Sequence, residues 1–268
     1  MAEEVHPTGS APQLPKSLRN EKLIRAAFFC ASFAIVLAIW ALARALHIVN
    51  PELFPSIPAV WQAGVRTVRD GSLLTNIAVS FLRVLIGFFL GMLLAIIFGS
   101  LIGSSRVLRL LADPAINFFR ALPPIALIPL MIILFGIGEL PKIVVLTYAS
   151  FFPALVVIYQ AFVSMDPIYA RAARTLGATN GEVFRKVTLP LMVPAIVTAA
   201  RVSLGVAWAT LVAAELVAAQ RGIGAMMVDA QAFFQMPVLV LGVLMIGAIS
   251  LAMDTAVRTV ERRLTLWQ

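Results

Sequence analysis

The chain has 268 residues, of which 61% are hydrophobic and only 13% are charged, and its formal net charge is +8. A soluble protein carries charge on about a quarter of its residues, so this composition excludes a chain whose whole surface faces water. The excess of Lys and Arg is typical of loops on one side of a membrane, and we expect no binding to nucleic acid. A single cysteine excludes an internal disulfide. These features predict a polytopic membrane protein embedded in a lipid bilayer.

Taken in chain order, the polar residues 1–25 predict a cytoplasmic N-terminal tail rather than a cleaved signal peptide. A helix needs about 20 apolar residues to cross the hydrocarbon, and the charge-poor stretches that follow predict an all-α bundle of six transmembrane helices. The transmembrane domain is expected over 26–257 and a cytoplasmic C-terminal tail over 258–268. The predicted spans are about 26–46, 77–104, 121–138, 143–165, 191–219 and 236–257.

The distribution of Lys and Arg predicts the orientation of these spans. With both termini placed in the cytoplasm, most of the basic residues fall in inner segments and few fall in outer loops. This bias is the one that multi-pass membrane proteins follow.

Small residues recur at every fourth position of the second span. This spacing places them on one helix face, where a neighbouring helix can approach closely. We expect that contact to lie within the chain, with a contact between two subunits as the alternative. The residues are Gly87, Gly91, Ala95, Gly99 and Gly103.

The fourth loop, residues 166–190, is predicted to form a cytoplasmic helix–turn–helix, which we call the elbow. Asp166 followed by Pro167 is typical of a helix start, and Gly177 is expected to end that first short helix. Thr179 and Glu182 have the spacing of a capping box, which predicts a second helix that runs to Leu189-Pro190. The chain contains no G-x-x-x-x-G-K-[ST] phosphate loop, so any ATP-driven movement would need a separate motor protein. A rigid elbow on the cytoplasmic side is a segment that such a protein could move.

The elbow resembles the EAA motif of binding-protein-dependent ABC importer permeases. Arg171-Ala172-Ala173 is followed by three residues, Gly177, nine residues and Val187-Thr188-Leu189-Pro190, which is the spacing of that motif. Arg171 stands where the motif has Glu. By this resemblance, residues 167–177 form the coupling helix that contacts an ATPase. The candidate coupling residues are Asp166, Pro167, Arg171, Ala172, Ala173, Arg174, Leu176, Gly177 and Glu182.

Three other stretches are similar to the nitrate/sulfonate/taurine branch of these permeases, namely residues 120–139, 211–216 and 221–224. Residues 262–267 are most similar to the taurine members of that branch. The resemblance implies a type I importer (MetI-like) fold in the bacterial inner membrane. It also implies a homodimer of the permease, a dimer of ATPase subunits that bind ATP and Mg, and an external solute-binding protein. No cofactor of the chain itself is expected.

Charges within a span are expensive, which makes them candidates for function. Arg201, Trp208 and Glu215 are seven residues apart and so share one face of the fifth span. They are predicted either to line the translocation path, with Arg201 favouring an anion, or to be satisfied by neighbouring helices. Glu215 is expected to pair with Arg83 of the second span.

The predicted function is therefore the import of a small anionic solute similar to taurine or an aliphatic sulfonate. Nitrate, bicarbonate, an aromatic acid or a vitamin precursor are alternatives within the same class. A secondary transporter is the alternative from another class, but it predicts a clear internal repeat, which the sequence does not show, and several ion-coupling carboxylates within the membrane, where only Glu215 lies deep. With two histidines in the chain, neither a catalytic cluster such as H-E-x-x-H nor a metal site is expected.

Overall fold

The chain folds into helices and turns over all the residues that the computed structural model describes, which are 16–46, 50 and 53–264. Residues 1–15 of the predicted N-terminal tail and residues 265–268 of the predicted C-terminal tail lie outside the described residues. The helices are α1 (Lys16–Ala45), α2 (Ile57–Arg69), α3 (Ser72–Ser104), α4 (Arg106–Ala121), α5 (Ile128–Phe135), α6 (Glu139–Ser164), α7 (Pro167–Thr175), α8 (Asn180–Val183), α9 (Leu189–Ala218), α10 (Ile223–Ala232) and α11 (Met236–Leu264). A 3-10 turn, Pro124–Leu127, precedes α5, and a π turn, Phe184–Thr188, joins α8 to α9.

The segment up to Ile57 and the segment from Pro58 onward form two compact units. In the first unit, Phe54 and Pro55 contact the last turns of α1. The Trp40 indole donates to the Pro55 carbonyl at 3.1 Å, and the Arg44 side chain donates to the Phe54 carbonyl. The rings of Trp40 and Phe54 lie 5.6 Å apart.

Four helices of the described chain are long and apolar enough to cross a membrane, and they correspond to the second, fourth, fifth and sixth predicted spans. The third predicted span, 121–138, is not one straight helix. It contains the 3-10 turn and the eight residues of α5, and it follows α4 after a bend of 84°. Pro123 and Pro124 stand at the bend, where they lack the N–H groups that a continuous helix would need. With this bent pair counted as one span there are five, so six spans are not confirmed.

Three helices extend beyond the apolar stretches that predicted them. α3 begins five residues before residue 77, α1 begins within the predicted N-terminal tail, and α11 continues through residue 264 into the predicted C-terminal tail. The ends of a membrane helix tolerate such polar turns because long basic side chains can reach the interface from there. Apolar windows alone therefore underestimate helix length.

The small residues of α3 pack within the chain, as expected. A Cβ atom added at Gly87 would lie 2.4 Å from the Leu146 Cβ, and one added at Gly103 would lie 2.4 Å from the Phe162 Cβ. Ala95, between them, is fully buried. The glycines thus allow the backbones of α3 and α6 to approach closely along their whole length.

α9 lies against α6, α3, α10 and α11 and forms the centre of the second unit. Its Trp208 and Leu211 are buried together with Val84 of α3 and Leu155 of α6. The 33 residues of α3 span about 50 Å and so separate two ends of this unit. The end of α3 packs near the elbow, and its start contacts α10 at what we call the far end.

Candidate functional site

The elbow begins with the helix start that its sequence predicts. The Asp166 carboxylate accepts a hydrogen bond from the Ile168 N–H at 2.8 Å, and Pro167 occupies the first turn of α7, where its missing N–H costs nothing. α7 then runs for nine residues to Thr175. The predicted first helix of the elbow is therefore present.

Gly177 ends this helix in a left-handed conformation, with φ of +86°. The Gly177 N–H donates to the Arg174 carbonyl at 3.0 Å, and the Ala178 N–H donates to the Ala173 carbonyl at 3.1 Å. This pair of bonds is the Schellman motif, which satisfies carbonyls that the helix end leaves open. A side chain at position 177 would strain the backbone, so the motif requires glycine here.

The second half of the elbow contains the predicted capping box. The Glu182 N–H donates to the Thr179 hydroxyl at 3.4 Å, and the Thr179 N–H donates to the Glu182 carboxylate at 3.0 Å. The prediction that this helix stops at Leu189-Pro190 is wrong, because the π turn carries it directly into α9. Pro190 provides no N–H for the last bond of an ordinary turn, and a wider turn immediately before it accommodates that loss.

α7 projects from the rest of the second unit. None of its residues is buried, and its main packing is against the second half of the elbow. Leu176, which follows it, is 88% exposed, and Ile168 and Tyr169 are each more than half exposed. α7 and Leu176 therefore present an exposed apolar surface, of the kind that often marks a protein–protein contact.

The predicted coupling residues lie around this surface. Arg171, Ala172 and Arg174 are exposed, and Ala173 is half-buried against the turn. The elbow thus presents two cations and several apolar side chains on one short helix.

The three residues that share a face of α9 all have partners on other helices. The Arg201 guanidinium lies 3.3 Å from the Asp254 carboxylate of α11, and the Trp208 indole donates to the Met253 sulfur at 3.1 Å. Trp208 and Glu215 are each at most 2% exposed. This face of α9 therefore points into the bundle of its own chain.

Glu215 is the centre of a buried ion network at the far end. Its carboxylate accepts hydrogen bonds from the Arg83 guanidinium at 2.6 Å, the Ser80 hydroxyl at 2.8 Å and the Gly224 N–H at 2.9 Å. The expected pair with Arg83 is thus confirmed. A carboxylate this deeply buried is tolerated only when it is paired and its oxygens accept hydrogen bonds, and both conditions are met here.

Arg83 connects this carboxylate to a second one. Its guanidinium donates to both carboxylate oxygens of Glu139, at 2.5 and 2.6 Å, and to the Arg221 carbonyl at 2.6 Å. The Lys142 ammonium group donates to the same Glu139 carboxylate at 3.0 Å. Two cations and two carboxylates therefore balance, and they join α3, the start of α6 and the end of α9.

Two glycines allow the segment between α9 and α10 to fit against this network. A Cβ atom at Gly222, where φ is +124°, would lie 2.3 Å from a carboxylate oxygen of Glu215. One at Gly224 would lie 2.5 Å from the Glu215 Cβ. The Gly222 N–H donates to the Asn76 side chain at 2.8 Å, and the Ile223 N–H donates to the Ser80 hydroxyl at 2.9 Å. The backbone of this segment is thus part of the network.

Sequence reasoning did not identify Ser80, Glu139 and Gly224 as members of the network. The signal that could have found the serine is its spacing, since Ser80 precedes Arg83 by one turn of α3 and shares its face. Glu139 and Gly224 belong to stretches whose only signal in the sequence is their similarity to the nitrate/sulfonate/taurine branch. In the structure both residues contact the charged side chains of the network.

Residues 87–266, which include the elbow and most of the network, match the family described as "Binding-protein-dependent transport system inner membrane component". The chain belongs to this family. It is thus a multi-pass permease of the bacterial inner membrane, and the family moves solutes together with separate binding proteins.

Individual relatives and a solved structure are in agreement with this assignment. A Brucella abortus protein named "Probable ABC transporter permease protein" is 41% identical, with 93% of this chain and 98% of that protein covered. The taurine transport system permease protein TauC of Escherichia coli is 36% identical over 88% of each chain. The MetNI methionine ABC transporter, in an inward-facing conformation, is 26% identical and has a TM-score of 0.52, with 77% of this permease and 99% of that chain covered.

Proposed function

We propose that this permease imports a small organic sulfonate, with taurine as the type compound, in a complex with ATPase subunits and an external binding protein. The relative with taurine in its name aligns with nearly the full length of the permease, which supports this class of solute. The ATP and Mg belong to the partner ATPase. No step of hydrolysis is assigned to the permease.

The observation that carries the proposal is the unburied helix α7. Its exposed Ile168 and Tyr169, with Leu176 beyond it, form a surface of the size of one helical turn that fits a groove of another protein. We place the ATPase on this surface. Closure of the ATPase dimer would then displace α7, and the elbow would transmit the displacement to α9.

The orientation follows from the same assignment. An ATPase that uses cellular ATP lies in the cytoplasm, so the elbow is cytoplasmic and the far end faces the binding protein. In this proposal both termini are cytoplasmic as well, as the bias of Lys and Arg predicts.

Two copies of the permease form the proposed transport unit. α9 exposes Thr198, Val202 and Gly205 on the side opposite its buried face, and no atom lies within 4 Å of a Cβ placed at Gly205. A helix of a second copy can approach this narrow face closely.

Arg201 is assigned to the inner half of the translocation path. Its side chain is one third exposed and lies beside Asp254, so an anionic solute can compete with that carboxylate for the guanidinium. Trp208, Glu215 and Arg83 are buried behind this path in the proposal, where their contacts hold the helices that form it.

The test is ATP-driven uptake of labelled taurine by the permease, its ATPase and its binding protein in proteoliposomes. Leu176→Asp places a charge on the proposed docking surface and should abolish uptake and ATPase binding while the permease still inserts. Thr75→Asp is the matched control, because it adds the same charge at the exposed start of α3, where a helix tolerates an acid. Normal uptake by Leu176→Asp would refute the coupling assignment, and an importer that moves no sulfonate would refute the solute class.

A further inference from the structure

A cavity of about 640 Å³ lies at the far end of the permease, between α2, the start of α3, α10 and the start of α11. Its volume lies within the range of about 300–1,000 Å³ that is typical of small-molecule sites. Ser72 and Asn76 of α3 line it, and they stand at the opposite end of that helix from the elbow. The cavity is therefore separate from both the coupling surface and the face of α9 that contains Arg201.

Local hydrogen bonds hold the walls of the cavity in place. The Asn76 side chain accepts from the Gly222 N–H at 2.8 Å, which attaches the cavity to the buried ion network. The Thr67 hydroxyl donates within α2 to the Ala63 carbonyl at 2.9 Å, and the Gln235 N–H donates to the Ala230 carbonyl at 2.7 Å. A cavity whose backbone is held in this way presents its side chains to a ligand from defined positions.

Three charged side chains face this cavity, namely Arg66, Asp70 and Asp229. Within the described residues, the side chains of Arg66 and Asp229 form no hydrogen bond or ion pair of 4.0 Å or less. Asp70 accepts a hydrogen bond from the Ser72 N–H at 2.9 Å. The contacts of the Ser72 side chain and backbone hold the pKa of Asp70 below its usual value, so this carboxylate is ionised at neutral pH. One cation and two anions thus share the cavity.

An aromatic ring completes the lining. Phe233 is 75% exposed although it borders a cavity of its own chain. The next residue, Phe234, has a φ of +54°, a conformation that bulky side chains avoid and that fixes the direction of the chain here. The face of an exposed phenylalanine attracts organic cations such as an ammonium group.

We propose that this cavity receives a small zwitterion, whose ammonium group binds beside Asp229 and Phe233 and whose acid group binds Arg66. A simple anion such as nitrate or bicarbonate would gain the contact with Arg66 but would be repelled by the two carboxylates. A zwitterion satisfies both signs of charge. This inference rests on the proposed function, and it narrows the solute from sulfonates in general to those that also carry an amine.

The experiment measures equilibrium binding of radiolabelled taurine to the permease–ATPase complex in nanodiscs, with no binding protein present. Saturable binding is expected, with competition by the zwitterion β-alanine. Ethanesulfonate, which has the acid group but no amine, should compete at least about tenfold more weakly, the factor expected for loss of one hydrogen bond to a charged group.

Substitutions place the binding in this cavity. Asp229→Asn and Arg66→Gln should each weaken taurine binding about tenfold by the same reasoning. Arg69→Gln is the matched control and should bind like the wild type, because Arg69 lies in the same last turn of α2 but outside the cavity lining.

Absence of saturable taurine binding would overturn the proposal. Equal competition by ethanesulfonate would overturn it as well, and so would wild-type affinity in both cavity variants. If the complete importer still takes up taurine in any of these cases, the proposed function stands and only the cavity assignment fails. If the importer takes up no sulfonate at all, the proposed solute class fails.

Discussion

Replacing Glu215 by glutamine removes one charge from the buried network while it preserves the size of the side chain. The carboxylate accepts from Arg83, Ser80 and Gly224, and each of its two oxygens accepts at least one of these bonds. A glutamine has one oxygen and one NH₂ group. One donor on the protein therefore faces another donor, whichever way the amide points.

The expected cost follows from these contacts. Loss of a hydrogen bond to a charged group costs about 1.5–3 kcal/mol, and leaving Arg83 with one carboxylate fewer adds to this loss. The total stays below the 3–5 kcal/mol that is typical of a broken buried pair, because Glu139 still holds the guanidinium. We expect about 2–3 kcal/mol, which lowers the Tm of a domain of this size by roughly 4–12 °C.

The assay is size-exclusion chromatography of the purified permease complex after heating in detergent, with the surviving fraction plotted against temperature. Glu139→Gln is the graded control, because the Glu139 side chain is 57% exposed and its loss should cost about 1 kcal/mol or less. A Glu215→Gln permease that melts at the wild-type temperature would refute the view that this network stabilises the far end. So would a Glu139→Gln permease that melts lower than Glu215→Gln.

Three further outcomes are expected. Gly91→Ala should lower the Tm by an amount that corresponds to about 1–3 kcal/mol, because its Cβ would lie 2.6 Å from a side chain of α6. Gly247→Ala is the control and should leave the Tm unchanged, because its Cβ would have no neighbour within 4 Å. Equal Tm values for the two variants would contradict the packing. Thr179→Ala should cost about 1 kcal/mol locally and speed amide hydrogen exchange over residues 180–183, and unchanged exchange would contradict the capping box. Asp254→Asn should leave the Tm nearly unchanged, because this pair is partly exposed. It should increase modification of the Arg201 guanidinium by an arginine-selective reagent, measured by mass spectrometry, and unchanged modification would contradict the contact.

Local signals made the elbow predictable. A helix start at Asp166, a glycine stop at Gly177 and the capping box of Thr179 each depend on residues within one turn of each other, so the sequence alone contains the whole interaction. The pair of Arg83 and Glu215 was predictable for another reason. The membrane interior makes an unpaired charge so costly that few arrangements remain.

Features that depend on distant contacts were not predictable. α2, α4 and α10 are too short or too amphipathic to register as spans, and their places are set by packing against other helices. Glu139 joins the network through a contact with Arg83 across 56 positions of sequence, which no local pattern indicates. The π turn also had no local signal, because it depends on how α8 and α9 are both held.

The π turn between Phe184 and Thr188 also sets the rotation of the elbow about the axis of α9. A π turn holds one more residue than an ordinary helical turn, and one residue corresponds to a rotation of about 100° around the helix axis. The helix continues for 38 residues, from Asn180 to Val217, so this offset fixes the azimuth of the elbow relative to the whole of α9. Deleting a single residue from the turn would point α7 to another side of the bundle and would break the stacking of Phe184 on Phe162 of α6. The number of residues in the π turn is therefore constrained as strictly as the chemistry of their side chains.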